Sequence, residues 1–240
     1  MKSLNDLLWD GKLKIYQDDN LFKYSLDSVL LANFITINKN IKNVIDVGTG
    51  NAPIAMMLTK RTNAKIIGVE IQKESYLLAV ESVIYNKLQN QIELINDDIR
   101  NIDFANNYFD VIVCNPPYYK ENMVKSNNLS KKIARSDDST FLRDLFVISK
   151  KILKNNGNIA IVIDSKRLVE VINLMRDNHI EPKKLQFVYP KENKNSNIVL
   201  IEGTKNGKEG IKVLEPIIIQ NKNNDYTDYI KNILENFGKY

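Results

Sequence analysis

Apolar residues recur through the middle of the chain in short runs that alternate with segments of helical spacing. The runs lie at residues 44–46, 65–69, 92–95, 111–114 and 159–163. Between them, segments such as 76–88 carry apolar residues three and four positions apart, which is the periodicity of an amphipathic helix. Alternating buried strands and helices are typical of a parallel sheet with helices on both faces, so the pattern predicts an α/β fold.

The start of the chain departs from this alternation. Residues 13–17 and 21–24 are predicted to form an extended pair, joined by the turn-forming residues 18–20. A helix should follow, with Ser25 or Asp27 as its cap and a broad apolar face. We expect this N-terminal extension to pack against the central sheet.

The last third of the chain also departs from the alternation. Residues 185–189 and 197–202 have the character of two strands, and the polar loop 190–196 is too short to contain a crossover helix. They are therefore expected to pair antiparallel at the edge of the sheet. These patterns divide the chain into an N-terminal hairpin and helix, residues 1–38, and a core domain, residues 39–240. We expect the two parts to form one structural unit.

Composition limits the class of protein. A hydrophobic share of 43% and a charged share of 26% exclude collagen-like chains and disfavour disorder. No apolar run approaches the ~20 residues of a membrane helix, and the first residues lack the apolar core of a secretory signal, so we expect a cytoplasmic protein. The single cysteine, Cys114, lies in an apolar run, where a buried strand residue is expected; no metal site is expected.

A glycine-rich turn follows the first apolar run, with Asp46, Gly48, Gly50 and Asn51 in sequence. Glycines let the backbone turn tightly and approach a ligand at the carboxyl end of a strand, where open α/β sheets bind ligands. A dinucleotide fingerprint would need a further glycine where this chain has Pro53, which disfavours a dehydrogenase. These four residues are therefore candidate contacts for a nucleoside cofactor.

Carboxylates follow the next two apolar runs. Glu70 can accept hydrogen bonds from both hydroxyls of a ribose, and Asp98, preferred over Asp97, can accept from the amine of an adenine. Each alone could be an ordinary solvated loop carboxylate. Their positions at successive strand ends favour a nucleoside site.

The fourth run leads directly into a tetrapeptide of catalytic type, Asn115, Pro116, Pro117 and Tyr118. An amine conjugated to a purine or a carbonyl is a poor nucleophile, and acceptors on its hydrogens help to localise the lone pair. Asn115 Oδ1 and the Pro116 carbonyl can be those acceptors, the prolines fix their direction, and Tyr118 can stack on the target. No general base is obviously required, and a rigid turn at a strand end is the structural alternative.

A long polar segment after the tetrapeptide carries positive charge. Its basic residues are candidate contacts for nucleic-acid phosphates: Lys120, Lys125, Lys131, Lys132 and Arg135. Lysines of the late strands could extend the track: Lys183, Lys184, Lys191 and Lys194. A net charge of +5 and a pI near 9.0 permit a polyanionic partner without requiring one, and solvated surface lysines are the alternative.

Together these residues resemble a known family, the bacterial tRNA(Val) adenine-N6 methyltransferases. The resemblance covers nearly the whole chain and is carried by residues 13–17, 22–32, 46–52, 115–118, 133–135, 180–184 and 199–203. It departs at Ala52, where the family turn usually has glycine, and in the absence of glycines after Tyr119.

The resemblance implies a class I S-adenosylmethionine-dependent methyltransferase. The fold would be Rossmann-like, with a seven-stranded, mostly parallel sheet and an antiparallel edge strand. Asp46, Gly48, Gly50, Glu70 and Asp98 would surround the cofactor. The reaction would be N6-methylation of the adenosine 3′ of the anticodon, position 37, in the anticodon loop of a tRNA(Val). We expect the protein to be a monomer rather than an oligomer.

Three other functions remain open at this point. The tetrapeptide would serve N5-methylation of a glutamine amide in a release factor equally well. DNA adenine methylation would require extruding a base from a duplex, and the chain has no separate recognition domain for that. A catalytically silent RNA-binding module could also have kept the fold, and failure to bind the cofactor would favour it.

Overall fold

The computed structural model describes residues 1–21, 23–116 and 138–239, apart from the side chains of residues 138 and 139. Its strands are β1 (Lys2–Asp6), β2 (Lys14–Asp18), β3 (Asn43–Val47), β4 (Lys65–Val69), β5 (Ile92–Ile95), β6 (Phe109–Cys114), β7 (Leu153–Asp164), β8 (Ile180–Lys191), β9 (Ile198–Lys205), β10 (Lys212–Val213) and β11 (Ile217–Gln220). Its helices are α1 (Leu26–Phe34), α2 (Pro53–Leu58), α3 (Lys73–Tyr85), α4 (Asp138–Ile152), α5 (Leu168–Asp177) and α6 (Asp228–Asn236).

The main sheet has the strand order β10-β8-β9-β7-β6-β3-β4-β5, with β11 also paired to β8. Strands β3 to β7 are parallel to one another, as the alternating pattern predicts. Their side chains are buried on both faces: Val111, Ile112, Val113 and Cys114 are all inaccessible to solvent. The predicted α/β class with a mostly parallel sheet is therefore confirmed, and so is the buried position of Cys114.

The late strands pair antiparallel, as predicted, but the antiparallel strand is not at the edge. Strand β9 lies between β7 and β8 and is antiparallel to both, while the short strands β10 and β11 flank β8. Val199, Leu200 and Ile201 are consecutive and fully buried, so both faces of β9 are covered. A strand that is apolar on both faces belongs inside a sheet, which is the physical reason for its place.

The N-terminal hairpin differs from the prediction in its second strand. Strand β2 contains residues 14–17 of the predicted segment 13–17, but its partner is β1, in a register that pairs Lys2 with Asp18. Residues 21, 23 and 24 form no strand, and Phe22 lies outside the described residues. The connection between β1 and β2 is fixed because Leu7 and Leu8 insert into the core.

Two apolar layers hold the helices on the sheet. Helices α1, α2 and α6 and part of α3 pack on one face, together with the hairpin connection. Helices α4 and α5 pack on the other face. In the described part of the chain, no helix is both long and apolar enough to cross a bilayer.

Candidate functional site

The carboxyl ends of four neighbouring strands form one row along one end of the sheet. The paired residues in this row are Ile95, Val69, Val47 and Cys114, at the ends of β5, β4, β3 and β6. Adjacent strands are about 4.8 Å apart, so the row spans about 14 Å. The structure therefore brings Gly48, Glu70 and Asn115, which directly follow or lie just after β3, β4 and β6, to this end of the sheet.

The turn after β3 depends on left-handed backbone conformations. Gly48 and Gly50 have φ values of 70° and 59°. The amides of Gly48 and Thr49 both donate to the carbonyl of Val69, at 2.9 and 3.0 Å, which holds the turn against β4. A Cβ at either glycine would meet no heavy atom within 4 Å, so the glycines are required by conformation and leave open space beside the backbone.

Ala52 also has a left-handed conformation, with φ 67°, immediately before α2. Its side chain is fully buried in the apolar layer under α1 and α2. The extra methyl group therefore packs into the core. The core therefore accommodates an alanine where the sequence resemblance leads us to expect glycine.

Asp46 is a buried carboxylate beneath the turn, with 1% of its surface exposed. Its Oδ2 accepts hydrogen bonds from the Thr49 hydroxyl at 2.6 Å and from the Ala55 amide at 3.2 Å. Its Oδ1 is buried and finds no hydrogen-bond partner among the described residues. Burial raises the pKa of Asp46 to about 7, and the free oxygen is a place for a cationic or hydrogen-bond-donating ligand.

Glu70 follows β4 and is 6% exposed. Its Oε2 accepts from the Gly50 amide at 2.8 Å and its Oε1 from the Gln72 amide at 2.7 Å. Burial raises its pKa above the ordinary value, although the backbone amides oppose that shift. Each carboxylate oxygen can accept a second hydrogen bond, so Glu70 is held in place and can still accept from a diol.

Asn51 ties the glycine turn to the N-terminal hairpin. Its Nδ2 donates to the carbonyl of Tyr16 at 2.8 Å. The next residue of β2, Gln17, has a buried Oε1 that is unpartnered within the described residues. Gln17 is therefore a candidate hydrogen-bond acceptor for a ligand at this site. Sequence reasoning missed it, because a single glutamine in a predicted strand carries no chemical signal.

Asp98 lies after β5, as predicted, but its carboxylate is already paired. It accepts from the Arg100 amide at 2.9 Å and forms an ion pair with the Arg100 guanidinium at 2.5 Å. The hydrogen bond from Arg100 holds the pKa of Asp98 below its ordinary value. Asp98 is therefore an ionised acceptor of fixed orientation.

Ile71 is a second residue that sequence reasoning missed. It follows Glu70 directly and is 51% exposed, although it is a large apolar side chain. Asn96 holds the backbone on either side of it, because its Nδ2 donates to the carbonyl of Glu70 at 2.8 Å and to that of Ile71 at 3.4 Å. An exposed apolar side chain beside Glu70 can cover the face of a bound base.

Asn115 follows β6, and its amide has one end bound and one end free. Its Nδ2 donates to the hydroxyl of Ser28 at 2.9 Å. Its Oδ1 is buried and lacks a partner in the part of the chain that the structure describes. Pro116 is buried. The remaining residues predicted for the target and for nucleic acid lie outside the described residues: Pro117, Tyr118, Lys120, Lys125, Lys131, Lys132 and Arg135.

The expected lysine track along the late strands is wrong for Lys184. The Lys184 ammonium is directed inward, at 2.6 Å from the Phe34 carbonyl and 3.2 Å from the carboxylate of Glu202. The Lys183 ammonium donates to two backbone carbonyls of the loop before β10. Acceptors from the protein offset the cost of taking the Lys184 ammonium out of water, although burial still lowers its pKa. Lys184 is therefore not available for phosphates, whereas the contacts of Lys183 are exposed and its role stays a prediction.

Two exposed lysines lie at the carboxyl ends of β7 and β8, and one of them, Lys194, belongs to the predicted track. Lys166 follows β7, and Lys194 lies in the loop after β8, which runs parallel to β7. The carboxyl ends of these strands face the same side of the sheet as the row from β5 to β6. Positive charge is therefore present beside the candidate site.

Several known proteins are similar to this chain in sequence or in fold. Residues 13–179 match the family model described as methyltransferase small domain. A protein of Flavobacterium psychrophilum named tRNA1(Val) (adenine(37)-N6)-methyltransferase is 28% identical over 209 residues, covering 85% of this chain and 89% of the relative. A protein of the same name from Parabacteroides distasonis is 29% identical over 180 residues, covering 75% of each chain.

Among solved structures, a predicted O-methyltransferase from Agrobacterium tumefaciens superposes with a TM-score of 0.70 at 15% identity. The match covers 88% of this chain and 96% of that one. At this identity the likeness concerns the fold alone. It supports the class I methyltransferase architecture of the sheet.

Proposed function

Because this chain belongs to the methyltransferase small domain family, we propose that it transfers a methyl group from S-adenosylmethionine to N6 of an adenosine in tRNA, most specifically position 37 of a tRNA(Val). The observation that carries the proposal is the free, buried Oδ1 of Asn115 in the same row of strand ends as the cofactor residues. The names of the relatives supply the substrate.

The residues present fit S-adenosylmethionine. The unpartnered Oδ1 of Asp46 suits the ammonium of the methionine part, Glu70 suits the ribose hydroxyls, and the open side of Gly48 and Gly50 admits the ligand close to the backbone. Ile71 and Asp98 would contact the adenine, by its face and by its amine. When bound, S-adenosylmethionine supplies an electrophilic methyl group on a sulfonium.

At the target, Asn115 Oδ1 would accept a hydrogen bond from the adenine amine and so localise the nitrogen lone pair. The nitrogen then bonds to the methyl carbon while the carbon–sulfur bond breaks and its electrons remain on sulfur. The amine gives up one proton to solvent. Because the electrophile is already activated, in-line alignment of the nitrogen supplies much of the rate, and no histidine is needed.

The deciding experiment offers purified protein and S-adenosylmethionine to unmodified transcripts of all host tRNAs, followed by digestion and mass spectrometry of the nucleosides. We expect N6-methyladenosine in a tRNA(Val). The Asn115→Ala variant should lose at least about a hundredfold in rate with unchanged cofactor affinity, because an acceptor used in the transition state is removed. Methylation of a release-factor glutamine, with no tRNA product, would replace this proposal by the amide reaction. Full activity of Asn115→Ala would refute the role of the asparagine.

The RNA-binding face has its own test. Replacing Lys166 and Lys194 together by Gln removes two exposed charges beside the site. Replacing Lys42 and Lys87 instead removes two exposed charges at the opposite end of the strands, before β3 and β5. We expect only the Lys166 and Lys194 replacements to weaken tRNA binding. They should also make the fall of log K with log salt less steep, by about one for each lost phosphate contact. Equal effects of the two pairs would show that binding does not use this edge.

A further inference from the structure

Ser28 meets the target asparagine from a distant part of the chain. It lies in the first turn of α1, 3% exposed, and its Oγ accepts a hydrogen bond from Asn115 Nδ2 at 2.9 Å. Asn115 belongs to the segment after β6, 87 positions later in the sequence. The contact therefore joins the N-terminal extension to the reacting end of the sheet.

This hydrogen bond holds the Asn115 amide by its nitrogen end. A serine hydroxyl can donate as well as accept, and here it accepts from Nδ2, which leaves the oxygen end for the target. An amide has an acceptor end and a donor end, and rotation by a half turn exchanges them. With Nδ2 bonded to Ser28, the buried Oδ1 is the end left without a partner within the described ranges. The exchanged orientation would present N–H groups to an amine that needs an acceptor, and transfer would fail.

Ser28 is well placed to hold that orientation because α1 is rigidly packed. Its neighbours Val29, Leu30 and Leu31 are buried in the apolar layer, and the helix contacts both α2 and β7. A hydroxyl on such a helix has little freedom to move away from its partner. It thus serves as a fixed anchor for the amide.

We propose that Ser28 is a positioning residue for methyl transfer, which acts through Asn115 by fixing the acceptor oxygen toward the target amine. The inference rests on the proposed function for its kinetic consequence. It assigns a role in catalysis to the N-terminal extension, which lies outside the glycine turn and the tetrapeptide. It also explains why a polar side chain is buried on the otherwise apolar face of α1.

The kinetic test compares Ser28→Ala with Ser149→Ala. Ser149 is a matched control because it is a fully buried helical serine whose Oγ makes no hydrogen bond to the described residues. For Ser28→Ala we expect kcat to fall about five- to tenfold, the value of one hydrogen bond, with KM for S-adenosylmethionine unchanged. Ser149→Ala should match the wild type, and a Ser28→Ala variant that keeps the wild-type kcat overturns the proposal.

A double-variant cycle separates positioning from a general structural effect. In the Asn115→Ala background, Ser28→Ala should cause no further loss, because Ser28 has no amide left to orient. A multiplicative further loss would mean that Ser28 acts by another path, and the proposal would fall.

An NMR measurement tests the contact between Ser28 and Asn115 without using activity. It remains valid if the wild type methylates no tRNA, a result that would refute the proposed function but not this contact. The side-chain NH₂ resonances of Asn115 are identified by their absence from the Asn115→Asp variant. We expect them to shift and exchange faster with solvent in Ser28→Ala, but not in Ser149→Ala. Unchanged resonances in Ser28→Ala would disprove the contact.

Discussion

The free oxygen of Asp46 leads to a pH dependence of cofactor binding that can be calculated. Burial raises the pKa of Asp46 to about 7 in the ligand-free protein. An ammonium at its Oδ1 favours the ionised carboxylate, so binding must release a proton below that pH. The perturbation is therefore a change of pH from 8 to 6, with Asp46→Asn as the variant that removes the titrating group.

The magnitude follows from the fraction of Asp46 that is ionised. With a pKa of about 7, that fraction is about nine-tenths at pH 8 and about one-tenth at pH 6, so the affinity should be about tenfold weaker at pH 6. Isothermal titration with S-adenosylhomocysteine, which keeps the ammonium but cannot react, measures this change. Repeating the titration in buffers of different ionisation enthalpy counts the released proton.

The Asp46→Asn variant should bind more weakly but with an affinity that is flat over the same range, since its amide does not titrate. An equal pH slope in the wild type and the variant would assign the titration to the ligand or to another group. An affinity of the wild type that is constant from pH 6 to 8 would refute the reasoning.

The same pKa makes a prediction about stability. Because the pKa of Asp46 is raised from 3.8 to about 7 on folding, its contribution to stability is fully present below pH 3.8 and is lost as the pH rises through about 7. Asp46→Asn should therefore raise the melting temperature of the ligand-free protein more at pH 8 than at pH 6. Thermal scans at both values check this, and a larger gain at pH 6 would contradict it.

Three further substitutions test the site and its support. Gly50→Ala places an alanine at φ 59° with no steric contact, so the free energy of unfolding in urea should fall by about 1–2 kcal/mol from backbone strain alone. A fall of more than about 4 kcal/mol would indicate a clash. Ile71→Ala should raise KM for S-adenosylmethionine several-fold while stability changes by less than about 0.5 kcal/mol, because the side chain is exposed; an unchanged KM would remove it from the adenine site. Glu202→Ala leaves the Lys184 ammonium without its carboxylate and should cost about 3 kcal/mol in urea unfolding, whereas a cost under about 1 kcal/mol would show that the backbone carbonyls suffice.

Much of the site was predictable because its residues follow strand ends. An apolar run predicts a buried strand, the carboxyl ends of parallel strands meet at one edge, and any polar residue directly after such a run must lie there. Glu70 and Asn115 are placed by this rule alone, since they directly follow β4 and β6. Their mutual proximity needed only the order of the strands.

Other features depend on contacts between residues far apart in the sequence, which no local pattern contains. The partner of β2 is β1 because Leu7 and Leu8 find space in the core, and β9 lies inside the sheet because both of its faces are covered. The inward direction of Lys184 follows from the carboxylate that β9 places beside it.

The sequence by itself determined the chemistry at this edge, because the identities of the side chains and their order along the chain specify which acceptors and turns are available. Only the tertiary structure decided how those groups are oriented. Ser28 anchors the Asn115 amide, and Arg100 is paired with Asp98. Orientation depends on which hydrogen-bond partners packing brings within about 3 Å, and that distance is set by the fold as a whole.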